Sequence, residues 1–301
     1  MVETRVVYLE PNQITLDTVT LPELKPNQVL VKTHQASICG SERYHYRGIH
    51  VRSRDAARGM PGARTDKVEA RSTYPMGPLG HEGGGTIVEI GSAVDEYLGG
   101  GKVRVGDRVG SLVYPTYTDY WVTDPAHVQP IPEGVSFEVG CLYEALGCAA
   151  WAAIHCGVKL GDVVAVNGVG FAGNILLQGA LKSGASQVIA VDVQPAKLAV
   201  AKQLGADVAV NYKTQDVTAA VQQFAPEGVN VFWETRREPD FDLAVDLMAP
   251  RGRMVLMAGR DARPVGDFQV LRAREGHQVG GLRLPLHGQF QPHQQITRPA
   301  F

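Results

Sequence analysis

The stretch Gly168-Val-Gly170-Phe171-Ala172-Gly173 constrains this chain more than any other. It follows the apolar run Val163-Val-Ala-Val-Asn167 and opens a segment, 171–183, with helical patterning. Strand, glycine turn and helix in that order suit a dinucleotide. The first glycine makes the tight turn, the second lets the backbone approach a pyrophosphate, and the third packs the helix on its strand. The helix N-terminus then offers free N–H groups to the phosphates, which involves Phe171 and Ala172 with the three glycines. Nineteen residues past Gly173, Asp192 ends a second apolar run, where a carboxylate can accept both ribose hydroxyls. A negative charge there repels a 2′-phosphate, and Val193 and Gln194 supply no Arg clamp, so NAD is favoured over NADP. The competing reading is a glycine turn in an α/β fold that holds no nucleotide, and the complete strand, turn, helix, strand and Asp order weighs against it.

Further apolar runs at 207–212, 229–234 and 253–257 alternate with helix-like segments 195–204, 216–225 and 241–249. Strands alternating with helices imply a parallel, doubly wound sheet. The residues before 141 differ. Gln28–His34, Thr86–Ile90 and Asp107–Val113 read as short strands between Gly and Pro turns, as in a small, partly open barrel. A length of 301 residues exceeds what one core usually serves. The expected division is a β-rich domain over 1–140, a nucleotide-binding domain over 141–285 and an irregular tail over 286–301.

Charge excludes some classes of function. Lys and Arg total 29 against 31 Asp and Glu, a net of −2, which gives no reason to expect a nucleic-acid or membrane-surface partner. Four scattered cysteines make no disulfide framework, and there is neither an apolar signal core nor a run of about 18 apolar residues, so a cytoplasmic setting is expected.

The early domain carries Ser37-Ile-Cys39-Gly-Ser41-Glu42 and Gly80-His81-Glu82-Gly83-Gly84, and Glu144 follows in Leu142-Tyr-Glu-Ala-Leu146. A thiolate, an imidazole and carboxylates suit Zn²⁺ with one open coordination position. Taken singly, Cys39 reads as a buried small residue and His81 as a structural histidine.

Together with Val105-Gly-Asp-Arg-Val109, Ile131-Pro-Glu-Gly134, Gly157-Val-Lys-Leu-Gly-Asp162 and the glycine turn, these motifs resemble the zinc-dependent medium-chain dehydrogenases of the sorbitol and threonine dehydrogenase branch, from residue 1 to about residue 265. The resemblance implies a GroES-like β domain plus a Rossmann domain, and a homo-oligomer, dimer or tetramer. The implied activity is hydride transfer between NAD and a secondary alcohol or polyol held on zinc as its alkoxide. It also implies that Cys39, His81 and Glu82 ligate zinc, that Glu144 ligates or holds the zinc-bound water, and that Ser41 begins a proton relay. The relay's next position is Tyr44 where relatives carry His, and Tyr44 reads as a pocket wall or as a hydroxyl in the relay. Cys141 and Cys148 read as packing residues.

The chain also departs from the family. The run from Gly110 to Trp121 has no cysteine where many relatives hold a structural zinc, so one catalytic zinc and no structural zinc is expected. The segment 43–71 is longer than usual and carries a local net charge of +5; it reads as a solvated loop, with a lid for anionic substrates as the alternative. Glu234-Thr-Arg-Arg-Glu-Pro239 stands where relatives have Thr-Gly, and Arg236 and Arg237 are read as facing solvent, with contact to the pyrophosphate as the alternative. The last 25 residues carry three His, five Gln and no acid, and read as a truncated or frameshifted ending. Two other readings therefore stand beside the leading one: a folded but inactive or weakly active truncated relative, and a zinc-free quinone or enone reductase.

Overall fold

The computed structural model describes residues 2–48, 75–113, 115–236 and 239–257. They form two compact units, divided between Gly147 and Cys148. The tail 286–301, and the segment 43–71 beyond residue 48, lie outside the described residues. Among the described residues no helix is long and apolar enough to cross a membrane.

The first unit opens with a hairpin, β1 (Glu3–Glu10) and β2 (Gln13–Thr20), joined through Pro11 and Asn12. Asn12 takes φ 61°, a left-handed conformation that asparagine tolerates in tight turns. An antiparallel sheet follows, built from β3 (Val29–Ala36), β4 (Gly83–Ile90), β5 (Arg108–Ser111), β6 (Tyr120–Thr123) and β7 (Val128–Pro130). Its order is β6-β3-β4-β5-β7, open at β6 and β7. Inward residues of alternate positions, Val29, Val31, Ile87, Val109, Trp121 and Val128, make one core. Among the described residues the unit also holds α1 (Gly40–Tyr46) after β3 and α2 (Phe137–Gly140) after β7, with a short 3-10 turn over Pro125–His127.

Helix α3 (Tyr143–His155) leads into the second unit, whose sheet contains β8 (Val163–Asn167), β9 (Gln187–Asp192), β10 (Val208–Asn211), β11 (Val229–Glu234) and β12 (Met248–Leu256). All its pairings are parallel, in the order β10-β9-β8-β11-β12. The connecting helices are α4 (Phe171–Lys182), α5 (Pro195–Gln203), α6 (Val217–Gln222) and α7 (Phe241–Leu247). Both faces of the sheet are covered, which is why its strands read as unbroken apolar runs. Val164, Val166, Val188, Ala190, Val231 and Trp233 face Leu176, Leu177 and Ala180 of α4. Ala165, Ile189, Val191 and Phe232 face α6 and α7. Each such buried Val or Leu contributes about 1.5–3 kcal/mol.

The carboxyl ends of three of these strands break the apolar pattern. β8 ends in Asn167, β9 in Asp192 and β11 in Glu234, all buried. β8 pairs with β9 on one side and β11 on the other, so the chain reverses direction across the sheet at β8. Open α/β sheets bind ligands at this switch point.

Candidate functional site

In the first unit, α1 begins where β3 ends. Cys39 is the residue before its first turn, and Glu42 reaches back to accept the Cys39 N–H at 3.0 Å. This reciprocal arrangement fixes the direction in which α1 leaves the sheet. His81 and Glu82 lie between glycines that nothing larger could replace. Gly80 has φ +91°, and an added Cβ would fall 2.5 Å from the Tyr117 backbone nitrogen. At Gly83 it would fall 2.4 Å from Cβ of Thr116. The segment Thr116-Tyr117 therefore presses directly on the His81-Glu82 turn, and a bond from Ser37 N–H to the Glu82 carbonyl, 2.9 Å, ties that turn to the chain before α1.

These constraints converge Cys39, His81 and Glu82, whose ligand atoms all lie within 4.8 Å of one another. The set suits a divalent metal with an open position, because a soft thiolate, an imidazole and a carboxylate make three protein ligands. Glu144, half-buried in the first turn of α3, is not part of this group. Ser41 lies in the first turn of α1, and its buried Oγ has no hydrogen-bond partner among the described residues. Tyr44 falls on α1, but its side chain lies outside what is described. Cys141 packs as expected: it is buried, its thiol donates to the Glu138 carbonyl, and burial followed by the charge of Glu82 pushes its pKa up. Cys148 is exposed, so packing does not account for it.

Sequence reasoning gave Glu42 and Tyr117 no role. The Glu42 side chain is only 2% exposed, and its Oε1 lies 3.2 Å from His81 Nδ1. The Tyr117 hydroxyl donates to Glu42 Oε2 and also contacts the Ser37 carbonyl. Burial, then the bond to Glu42, raises the Tyr117 pKa, so the phenol stays a donor. A carboxylate on a ligating imidazole sets its orientation and basicity. The available signal was the spacing of three residues between Cys39 and Glu42. Glu42→Gln keeps an acceptor for the Cys39 N–H but removes the charge beside His81, and zinc affinity should fall roughly tenfold to a hundredfold, read by competition with a chromophoric chelator.

Without metal, hydrogen bonding to Cys39 and then to Glu42 pushes the His81 pKa from 6.5 up to about 10. A raised folded-state pKa stabilises the fold fully below the unfolded value and loses that contribution as pH rises through the folded one. The metal-free chain should therefore lose stability between pH 6.5 and about 10. Zinc, which takes the proton's place, should remove this dependence and bind more tightly as pH rises. Thermal unfolding across that range, with and without zinc, checks both.

In the second unit, a cavity of about 260 Å³ opens at the carboxyl ends of β8, β9 and β11, lined by Asn167, Gly168, Gly170, Asp192, Lys197, Tyr212, Thr235 and Arg236 among others. The glycines meet three different demands. Gly168 has φ +94°, which favours glycine. At Gly173 an added Cβ would fall 2.0 Å from the Gly168 carbonyl oxygen. At Gly170 it would meet nothing within 4 Å, so a side chain there would enter the cavity. Phe171 is exposed at the first position of α4, followed by half-buried Ala172. Asp192 is held by two backbone donors, Val169 N–H at 3.1 Å and Gln194 N–H at 2.9 Å. Asn167 Oδ1 is buried without a partner among the described residues.

Two cations line this cavity. Lys197 Nζ lies 3.9 Å from Asp192 Oδ2. Arg236, read as facing solvent with contact to the pyrophosphate as the alternative, lines the cavity and pairs with Glu234 while its side chain stays 34% exposed, and Arg237 lies outside the described residues.

The chain matches the alcohol dehydrogenase GroES-like domain family over residues 25–155 and the zinc-binding dehydrogenase family over residues 172–285. The second match runs past residue 265, where the sequence motifs end. Over an alignment 306 positions long the chain is 30% identical to D-xylulose reductase of Scheffersomyces stipitis, covering 90% of this chain and 79% of that protein. It is 30% identical over 271 residues to L-threonine 3-dehydrogenase of Chelativorans sp., covering 80% and 72%. The solved structure of 2R,3R-butanediol dehydrogenase from Bacillus subtilis superposes with a TM-score of 0.67 at 24% identity, covering 91% of this chain and 85% of that one, and shares its fold.

Proposed function

The chain belongs to the zinc-type medium-chain dehydrogenases, and from that premise we propose that it moves a hydride between a secondary alcohol or polyol and a nicotinamide dinucleotide. The observation that carries this reading is the convergence of Cys39, His81 and Glu82 behind two glycines that admit no side chain. These three residues are assigned to one zinc ion, and Glu144 to the fourth place, directly or through a water. Bound there, zinc supplies Lewis acidity, which lowers the pKa of an alcohol hydroxyl. Glu42 and Tyr117 hold His81 and the α1 turn in place. Ser41 Oγ is assigned the proton that leaves the alcohol, with Tyr44, one turn further along α1, as the next member of the relay.

Gly168, Gly170, Phe171, Ala172 and Gly173 are assigned to the pyrophosphate, and Asp192 to the adenosine ribose of NAD rather than NADP. Asp192→Ser should weaken NAD binding about tenfold or more and shift the NAD/NADP preference toward NADP, since it removes both the hydroxyl acceptor and the charge that repels a 2′-phosphate. Titration with both reduced cofactors reads this directly.

The reading is tested by zinc content together with NAD⁺ reduction over a panel of polyols, hydroxy acids and amino alcohols. One zinc per chain and turnover of a secondary alcohol are expected. A zinc-free protein that reduces enones or quinones would place the chain among the zinc-free reductases instead. A zinc-bearing protein that binds NADH without turnover would mark it as an inactive relative.

A further inference from the structure

Arg236 lines the cofactor cavity, and the dinucleotide motif has no place for it. It follows β11, and its position is determined by Glu234, a carboxylate with 0% exposure. Glu234 accepts the Arg236 backbone N–H at 2.9 Å and its Nε and Nη2 at 3.1 Å each. The same carboxylate accepts Asn167 Nδ2 and the Asp240 N–H, both at 2.9 Å. Asp240 Oδ2 lies 3.5 Å from Arg236 Nη2 and accepts the Tyr212 hydroxyl at 2.7 Å. The guanidinium carbon sits 5.5 Å from the centre of the Tyr212 ring.

This arrangement disfavours a bidentate phosphate clamp through Nε and Nη2. Arg236 already faces two carboxylates, and Lys197 faces Asp192. A phosphate could reach Nη1 without displacing Glu234, but Nε and Nη2, the edge that would grip it bidentately, are already committed to carboxylates. A guanidinium fixed in one orientation beside a phenol ring is, however, a good surface for a purine, because both groups stack on aromatic bases without reading their edges. Asp192, Tyr212 and Arg236 line the same cavity, and a base attached to a ribose at Asp192 has that wall within reach.

We propose that Arg236, locked by Glu234 and Asp240 beside Tyr212, is a specificity-determining residue for the cofactor: it stacks on the adenine through its planar face, with Nε and Nη2 turned to carboxylates rather than to a 2′-phosphate. The proposal rests on the reading that the second unit takes a nicotinamide dinucleotide. It places recognition of the base, separately from that of the ribose, on a residue that departs from the Thr-Gly of relatives.

Calorimetric titration of the full chain with NAD⁺, NADP⁺, ADP-ribose and nicotinamide mononucleotide tests it. Arg236→Ala should weaken ADP-ribose, NAD⁺ and NADP⁺ by about the same factor, roughly tenfold, and leave nicotinamide mononucleotide unchanged. Tyr212→Ala should act in the same direction and Tyr212→Phe should not, and this pair carries the test if Arg236→Ala fails to fold. Unchanged ADP-ribose affinity in Arg236→Ala and Tyr212→Ala overturns the proposal, and so does a loss confined to NADP⁺, which would make Arg236 a phosphate clamp. If the wild-type chain binds neither NAD⁺ nor ADP-ribose, the dinucleotide reading itself fails, whatever the variants do.

Discussion

Cys39→Ser is expected to yield a folded protein without stoichiometric zinc, whose alcohol-dependent NAD⁺ reduction is lower by at least about a thousandfold, because Lewis-acid stabilisation is worth several kcal/mol. The fold should survive because Cys39 is the extended residue that precedes α1, at φ −68° and ψ 150°. Serine is among the residues preferred at that position. The Cys39 N–H still reaches Glu42, so only the thiolate is lost. His81→Ala should differ in kind. It removes a ligand and also takes the imidazole from beside Glu42, whose Oε1 lies 3.2 Å from Nδ1 in a side chain that is 2% exposed. Breaking a buried ion pair from one side costs about 3 kcal/mol or more, so this variant should lose both metal and thermal stability. Elemental analysis, thermal unfolding and a turnover assay on the two variants separate the two outcomes.

Gly173→Ala is the second large effect, and its contrast with Gly170→Ala makes it informative. The Cβ at position 173 would lie 2.0 Å from the Gly168 oxygen and 3.0 Å from its carbonyl carbon. That carbonyl cannot easily retreat, since it accepts the Thr235 hydroxyl, and the Gly168 N–H is held by the Val191 carbonyl at 2.7 Å. Either α4 moves off β8 or the glycine turn deforms. Overpacking of this kind costs about 3 kcal/mol, which lowers Tm by roughly 10 °C in a domain of this size. NADH binding should be lost along with it. At Gly170 the same methyl group meets no protein atom, so Gly170→Ala should keep its Tm and lose only affinity, as the methyl occupies the space the phosphates need. Equal stability losses in the two variants would mean that the glycines do not play these separate parts.

The second unit was legible in the sequence because its strands are buried on both faces. The runs 163–167, 187–192 and 229–234 match β8, β9 and β11 end to end. Where a strand is half exposed, the signal weakens. In β2 of the hairpin, Ile14 and Leu16 are 61% and 69% exposed, so that strand carries no clean inward face, although its partner β1 buries Val6 and Leu9. The metal-suited group was legible from Cys39, His81 and Glu82 as residue types in a known order. Its support was less so: the Cys39–Glu42 spacing is a local signal for Glu42, but Tyr117 reaches Glu42 from 75 residues away and nothing local marks Tyr117 as its partner. The second unit repeats the lesson. Asp192 could be placed from the glycine motif, but no motif marks Glu234 and Asp240, two and four residues from Arg236, as the carboxylates that hold it.

The claim that the chain transfers hydride from a secondary alcohol is tested most directly by an isotope. The zinc-loaded full chain would be incubated with NAD⁺ and a secondary polyol that carries deuterium on its carbinol carbon, and the reduced cofactor examined by NMR. The account predicts that the label appears at C4 of the nicotinamide, on one face only, in the wild-type chain and not in Cys39→Ser. Reduced cofactor formed without label, or label transfer undiminished in Cys39→Ser, would contradict it.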